Sequence, residues 1–193
     1  MMPLAQRLVS HWFTLVTVSY VTLWALQVSI VMPLETLALE NSTLVSILFL
    51  PHAARVLSTW MLGPKVLFSL VPSSILCYAL LMPEPETMTL TDVALASTGA
   101  LCAPVAFELM RVVKINVYPT EAGVISWRTL VFAGFLSSIL NSFFQTLFLE
   151  GKFPIQDTFS ILTRFIISDV LGLVVVLLML VGLLRVFRGY SNV

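Results

Sequence analysis

Apolar runs close to the length of a bilayer-crossing helix recur along this chain with only short polar connections between them, and that pattern leaves few folds open. Backbone in hydrocarbon has no water to bond with, so a spanning segment must satisfy its own N–H and C=O groups as a helix. About 20 residues rising about 1.5 Å each cross a core of about 30 Å. The runs read as six spans over residues 12–32, 44–62, 66–82, 93–110, 129–149 and 159–184. The first is too long for a signal-peptide core and is followed by no small-residue cleavage site, so it is expected to remain as a helix. Pro33 is expected to end it. Pro51, Pro72 and Pro104 fall inside spans two, three and four, each removing a backbone donor and predicting a kink. The expected fold is therefore an all-α integral membrane protein. It forms one domain over residues 1–193, a bundle of six transmembrane helices with proline-kinked helices two, three and four.

The connections sort by sign. Arg7, Lys65, Arg111, Lys114, Arg128, Arg185 and Arg188 fall on one side, whereas Lys152 is the basic loop residue of the other. The positive-inside rule then puts both termini in the cytoplasm, in a bacterial inner (cytoplasmic) membrane. Glu35, Glu40, Glu84, Glu86, Asp92, Glu150 and Asp157 occupy the opposite side. Trp12, Trp60, Trp127 and Tyr118 lie near the expected boundaries as interfacial anchors.

Composition narrows the chemistry. The chain is 59% hydrophobic and 10% charged, and ten basic residues balance ten acidic ones, so nothing suggests a nucleic-acid partner. Cys77 and Cys102 lie in apolar runs without metal-ligand or C-x-x-C spacing and read as small buried side chains. No phosphate-binding loop, nucleophile triad or paired catalytic carboxylates are present. The expectation is a protein that is not an enzyme, with no cofactor and no metal site.

What remains is a set of polar residues at membrane depth: His52, Arg55, Glu108, Asn141, Gln145, Arg164, Ser168 and Asp169. Charges there are costly and mark functional sites or internal pairs. Counting rise from the outer helix ends puts Arg55 and Asp169 at the middle of the bilayer and His52 level with Asn141. The expected cluster joins helices two, five and six. Arg55 and Asp169 form an ion pair within it, His52, Asn141 and Gln145 supply hydrogen bonds, and Pro51 acts as a hinge. Two roles stay open for the pair, locking two helices together or serving a ligand or proton. His52 likewise reads as a hydrogen-bonded structural group or as a proton sensor. Glu108 is expected to pair with Arg111 or Lys114, and Arg164 to reach outward or fold back on Asp157.

Two stretches carry a resemblance. Leu50-Pro-His-Ala-Ala-Arg-Val-Leu-Ser-Thr-Trp-Met-Leu-Gly63 resembles the Pro-small-small stretch ending in Leu-Leu-Gly of the membrane-associated sensor domain type one. Ser168-Asp169-Val-Leu-Gly172 resembles that family's Gly-Asp-x-x-Gly segment, and Trp127-Arg128 through Gly151 resembles the helix and loop before it. The resemblance implies a sensory membrane module, although members have about eight spans and are fused to cytoplasmic output domains such as diguanylate cyclases or histidine kinases. This chain carries His52 and Arg55 where the motif is small and apolar, and Ser168 in place of glycine. The expected function is a sensory or signal-coupling module in signal transduction, embedded in the lipid bilayer and working through a partner protein that supplies output or energy. The alternatives are the substrate-binding membrane subunit of a small-solute importer, which would take a small-molecule ligand, and a structural or assembly protein.

Overall fold

The computed structural model describes residues 11–38, 46–81, 88–115, 117–119, 127–148 and 158–190, and every regular element among them is helical. Five helical stretches are long and apolar enough to cross a membrane: Trp12–Ala38, Pro51–Leu81, Leu90–Val112, Trp127–Phe148 and Phe159–Phe187. The charged loop residues Arg7, Glu40, Glu84, Glu86, Glu150, Lys152 and Asp157 lie outside the described residues.

Helix α1 is Trp12–Ala38. Pro33 does not end it. A π-helical turn at Gln27–Val31 precedes the proline, and helix resumes over Met32–Ala38. A widened turn of this kind absorbs the bonding gap left by the missing proline donor.

The second stretch is divided. Helix α2 is Pro51–Leu62, a 3-10 turn covers Gly63–Val66, and helix α3 is Leu67–Leu81. Gly63 has φ 69°, a conformation glycine adopts without the clash a Cβ would bring. The chain reverses there, as the partners on α1 show. Gln27 meets Leu50 and Tyr20 meets Arg55, so α2 runs against α1. Lys65 then lies over Trp12, Ser69 bonds to the Phe13 carbonyl, and both Ser69 and Ser73 meet Thr17, so α3 runs back alongside α1.

The start of α2 corrects the expected helix over residues 44–62. Residues 46–50 are not helical, and Pro51 is the first helical residue rather than a kink within a helix. At that position its missing N–H would have been unpaired in any case. Twelve residues reach only about 18 Å, too short to cross a bilayer core alone. Residues 46–50 form an irregular leader, and the amides of Ile47, Leu48, Phe49 and Leu50 are bonded by tertiary partners. Glu35 accepts from the N–H of Ile47 and Leu48 at 3.0 and 3.1 Å, and from Ser46 Oγ at 2.7 Å. Phe49 N–H donates to the Ser168 carbonyl at 3.1 Å, and Leu50 N–H to Gln27 Oε1 at 3.0 Å. These four amides thus have partners within the protein, as irregular backbone requires wherever water is absent.

Helices α4 (Leu90–Val112), α5 (Trp127–Phe148) and α6 (Thr158–Tyr190) complete the bundle. Thr89 and Asp92 form a capping box at the start of α4, and Tyr78 of α3 donates to Asp92. Both α3 and α4 continue helically through Pro72 and Pro104. α2 packs against α1, α4, α5 and α6, so the shortest helix occupies the centre. Its Ala53 and Val56 are fully buried with Phe107, Ala133 and Leu173 in the main apolar core. Tyr118, expected as an interfacial anchor, belongs to this core. It stacks at 5.6 Å on Phe107 and donates to Glu108 at 2.8 Å. Glu108 also pairs with Arg111 at 3.3 Å.

Candidate functional site

The first turns of α2 carry the polar residues into the centre. Pro51, His52, Ala53, Ala54, Arg55, Val56 and Thr59 are all buried, because neighbours surround α2 on several sides. Spacing of three along a helix turns His52 and Arg55 to overlapping faces. Gly134, Ser137, Ser138 and Asn141 line one face of α5 by the same geometry, and Ser168 and Asp169 approach from α6.

His52 is wholly buried, with Nε2 3.1 Å from the Gly134 carbonyl oxygen. A carbonyl only accepts, so Nε2 carries a hydrogen. The other ring nitrogen, Nδ1, faces Asp169 Oδ2 at 3.5 Å. Asn141 donates to that same oxygen from Nδ2 at 3.0 Å. Asp169 is 2% exposed, and a buried carboxylate needs such company.

Arg55 lies elsewhere in the cluster than the sequence suggested. It makes no direct ion pair with Asp169. Its Nη2 donates to the Tyr20 hydroxyl at 3.0 Å, and the guanidinium carbon lies 5.5 Å from the Tyr20 ring centroid and 5.4 Å from that of Phe49. Aromatic faces stabilise a desolvated guanidinium. α4 makes room for it at Gly99, where an added Cβ would stand 2.8 Å from Nη2 and closer still to the rest of the group. The charges of Arg55 and Asp169 still act on each other across the cluster. The shorter imidazole is thus the group beside the carboxylate, while the longer side chain turns to α1 and α4.

His52, Arg55, Asn141 and Asp169 are brought together; Gln145 is not. Its Nε2 donates to the Leu95 carbonyl of α4 at 3.1 Å, one turn along α5 from Asn141. Arg164 is exposed, and Asp157, its suggested partner, lies outside the described residues. Pro51 starts α2 beside the cluster. Cys77 and Cys102 are free and buried, each near enough to Arg55 to feel its charge.

The residues missed by sequence reasoning are Tyr20, Gln27, Glu35, Gly99 and Gly134. Gln27 offered a signal as the one side-chain amide of the first apolar run. Glu35 looked like an ordinary loop charge, and the glycines gave no sign of which side chain would use their space.

Four buried side-chain atoms in the described residues have no hydrogen-bond partner: His52 Nδ1, Arg55 Nε, Ser137 Oγ and Asn141 Oδ1. All four belong to residues of this centre. Buried polar groups are nearly always bonded, and here the unmet ones fall on residues of two packed helices, α2 and α5. No protein-family model, curated protein or solved structure matches the chain.

Proposed function

We propose that this protein is a sensory or signal-coupling membrane module that reads its stimulus at the buried His52–Arg55–Asn141–Asp169 centre and passes it to a partner protein. The observation that carries the reading is the set of unmet polar atoms at that centre, on residues of α2 and α5. A centre meant only to lock helices would gain by satisfying every atom, since each unmet one costs about 1–3 kcal/mol. The location suits signalling. α2 touches four other helices, and its leading segment is bonded to both α1 and α6, so a change at His52 or Asp169 bears on several elements together.

In this reading the chain makes six passes, α2 with its irregular leader and α3 forming a hairpin about Gly63–Val66. The end with Lys65, Arg111, Lys114 and Arg128 faces the cytoplasm of a bacterial cell, following the basic-residue rule. The partner docks on α6, whose residues from Leu178 to Phe187 are exposed on every side. The module performs no catalysis of its own, in keeping with the resemblance to the membrane-associated sensor domain type one.

The test is purification of the tagged full chain from its native membrane with identification of the chains that accompany it. A kinase or cyclase is the expected companion. An ATPase with a second membrane subunit would overturn the reading in favour of a small-solute importer.

A further inference from the structure

We propose that the ligand of the buried centre is a proton, shared between His52 Nδ1 and Asp169 Oδ2; this rests on the sensory reading and names proton activity as its stimulus.

The argument begins with what the centre can hold. His52 and Ser137 are 0% exposed, Asp169 2% and Asn141 5%. A solute would need space among these side chains, whereas a proton needs none. Next comes where the proton can go. Nε2 is committed to the Gly134 carbonyl, which leaves Nδ1 as the nitrogen that titrates. It faces Oδ2 at 3.5 Å without a hydrogen bond. With Nδ1 bare and the carboxylate ionised, two lone pairs oppose each other. One proton between them makes a charge-assisted bond, which closes to about 2.7–2.9 Å. The balance is simple: a hydronium ion leaves as water, its proton joins the pair, and no other bond breaks.

The surroundings keep that proton exchangeable. Burial is the first thing to oppose a charged imidazole; Arg55 on the same helix repels a second positive charge, and the N-terminal dipole of α2, in whose first turn His52 lies, also opposes a cation. Asp169 from α6 favours one. The other polar groups at the pair and at its neighbour Arg55 are the neutral Asn141 of α5 and the Tyr20 hydroxyl of α1; the buried thiols nearby in the bundle are Cys77 of α3 and Cys102 of α4. Closing the contact shortens it by about 0.6–0.8 Å. Phe49, just ahead of α2, is bonded to the Ser168 carbonyl of α6, so the pair lies beside a junction of the two helices.

The chain has two histidines, and His11→Gln removes the exposed one, leaving His52 alone for nitrogen-15 spectroscopy of the full chain in lipid nanodiscs. The spectrum, recorded from about pH 4 to pH 9, is expected to change from a ring protonated at Nε2 to one protonated at both nitrogens. Asp169→Asn is expected to shift the midpoint of that change by about one pH unit or more. A His52 signal unchanged over the whole range overturns the proposal without any variant of the centre, as does a midpoint indifferent to Asp169→Asn. The two readings fail separately. A partner kinase or cyclase with an inert His52 removes the proton and keeps the sensor, whereas a titrating His52 beside an importer's subunits keeps the proton site and removes the sensor.

Discussion

Gly172→Ala tests the junction that holds the start of α2. An added Cβ would stand 2.5 Å from the Phe49 carbonyl carbon and 3.1 Å from Leu50 N, and closer still to the Phe49 carbonyl oxygen. Carbon contacts are comfortable at about 3.5–4.0 Å, so the segment ahead of α2 must retreat by about 1 Å. That movement stretches two hydrogen bonds, Phe49 N–H to the Ser168 carbonyl at 3.1 Å and Leu50 N–H to Gln27 at 3.0 Å, beyond bonding range. Overpacking costs about 1–3 kcal/mol, and each bond about 1 kcal/mol. The gain from replacing a helical glycine by alanine returns about 1 kcal/mol, leaving a net destabilisation of about 2–4 kcal/mol. Gly182→Ala is the control, because nothing lies within 4 Å of a Cβ there. Equilibrium unfolding in detergent micelles compares the two, and hydrogen exchange at the Phe49 and Leu50 amides locates the damage. If Gly172→Ala unfolds no more easily than Gly182→Ala and both amides stay protected, the junction is not the tight contact described.

Other changes address the cluster and its supports. Tyr20→Phe keeps the ring beside Arg55 and removes a bond to a charged donor, so thermal unfolding should show a loss of about 1.5–3 kcal/mol. Tyr20→Leu should cost more, as the aromatic face goes too. Gln27→Leu strands the Leu50 N–H and removes the bond that Gln27 donates to Ser46 Oγ, and is expected to cost about 1–3 kcal/mol by the same measurement. A double-mutant cycle should give a larger coupling between His52 and Asp169 than between Arg55 and Asp169; the reverse order would restore the direct arginine–aspartate pair.

Much of this protein was legible one residue at a time. Apolar run length marked the helices, because hydrocarbon demands internally bonded backbone wherever a chain crosses it. Helix rise gave depth, which matched Arg55 with Asp169 and His52 with Asn141 and so named the four residues that the centre contains. It could not give rotation. Whether Asp169 meets an imidazole or a guanidinium, and whether Gln145 turns to the cluster or to the Leu95 carbonyl, depends on how each helix is turned about its axis, which is set by packing against its neighbours. The same holds for residues 46–50. Their apolar sequence reads as helix, yet Glu35, Gln27 and the Ser168 carbonyl bond their backbone in an irregular path, and Gly172 provides the clearance. Hydropathy records what a segment would do in lipid by itself; the tertiary structure supplied other partners for its backbone, and those partners decided where α2 begins.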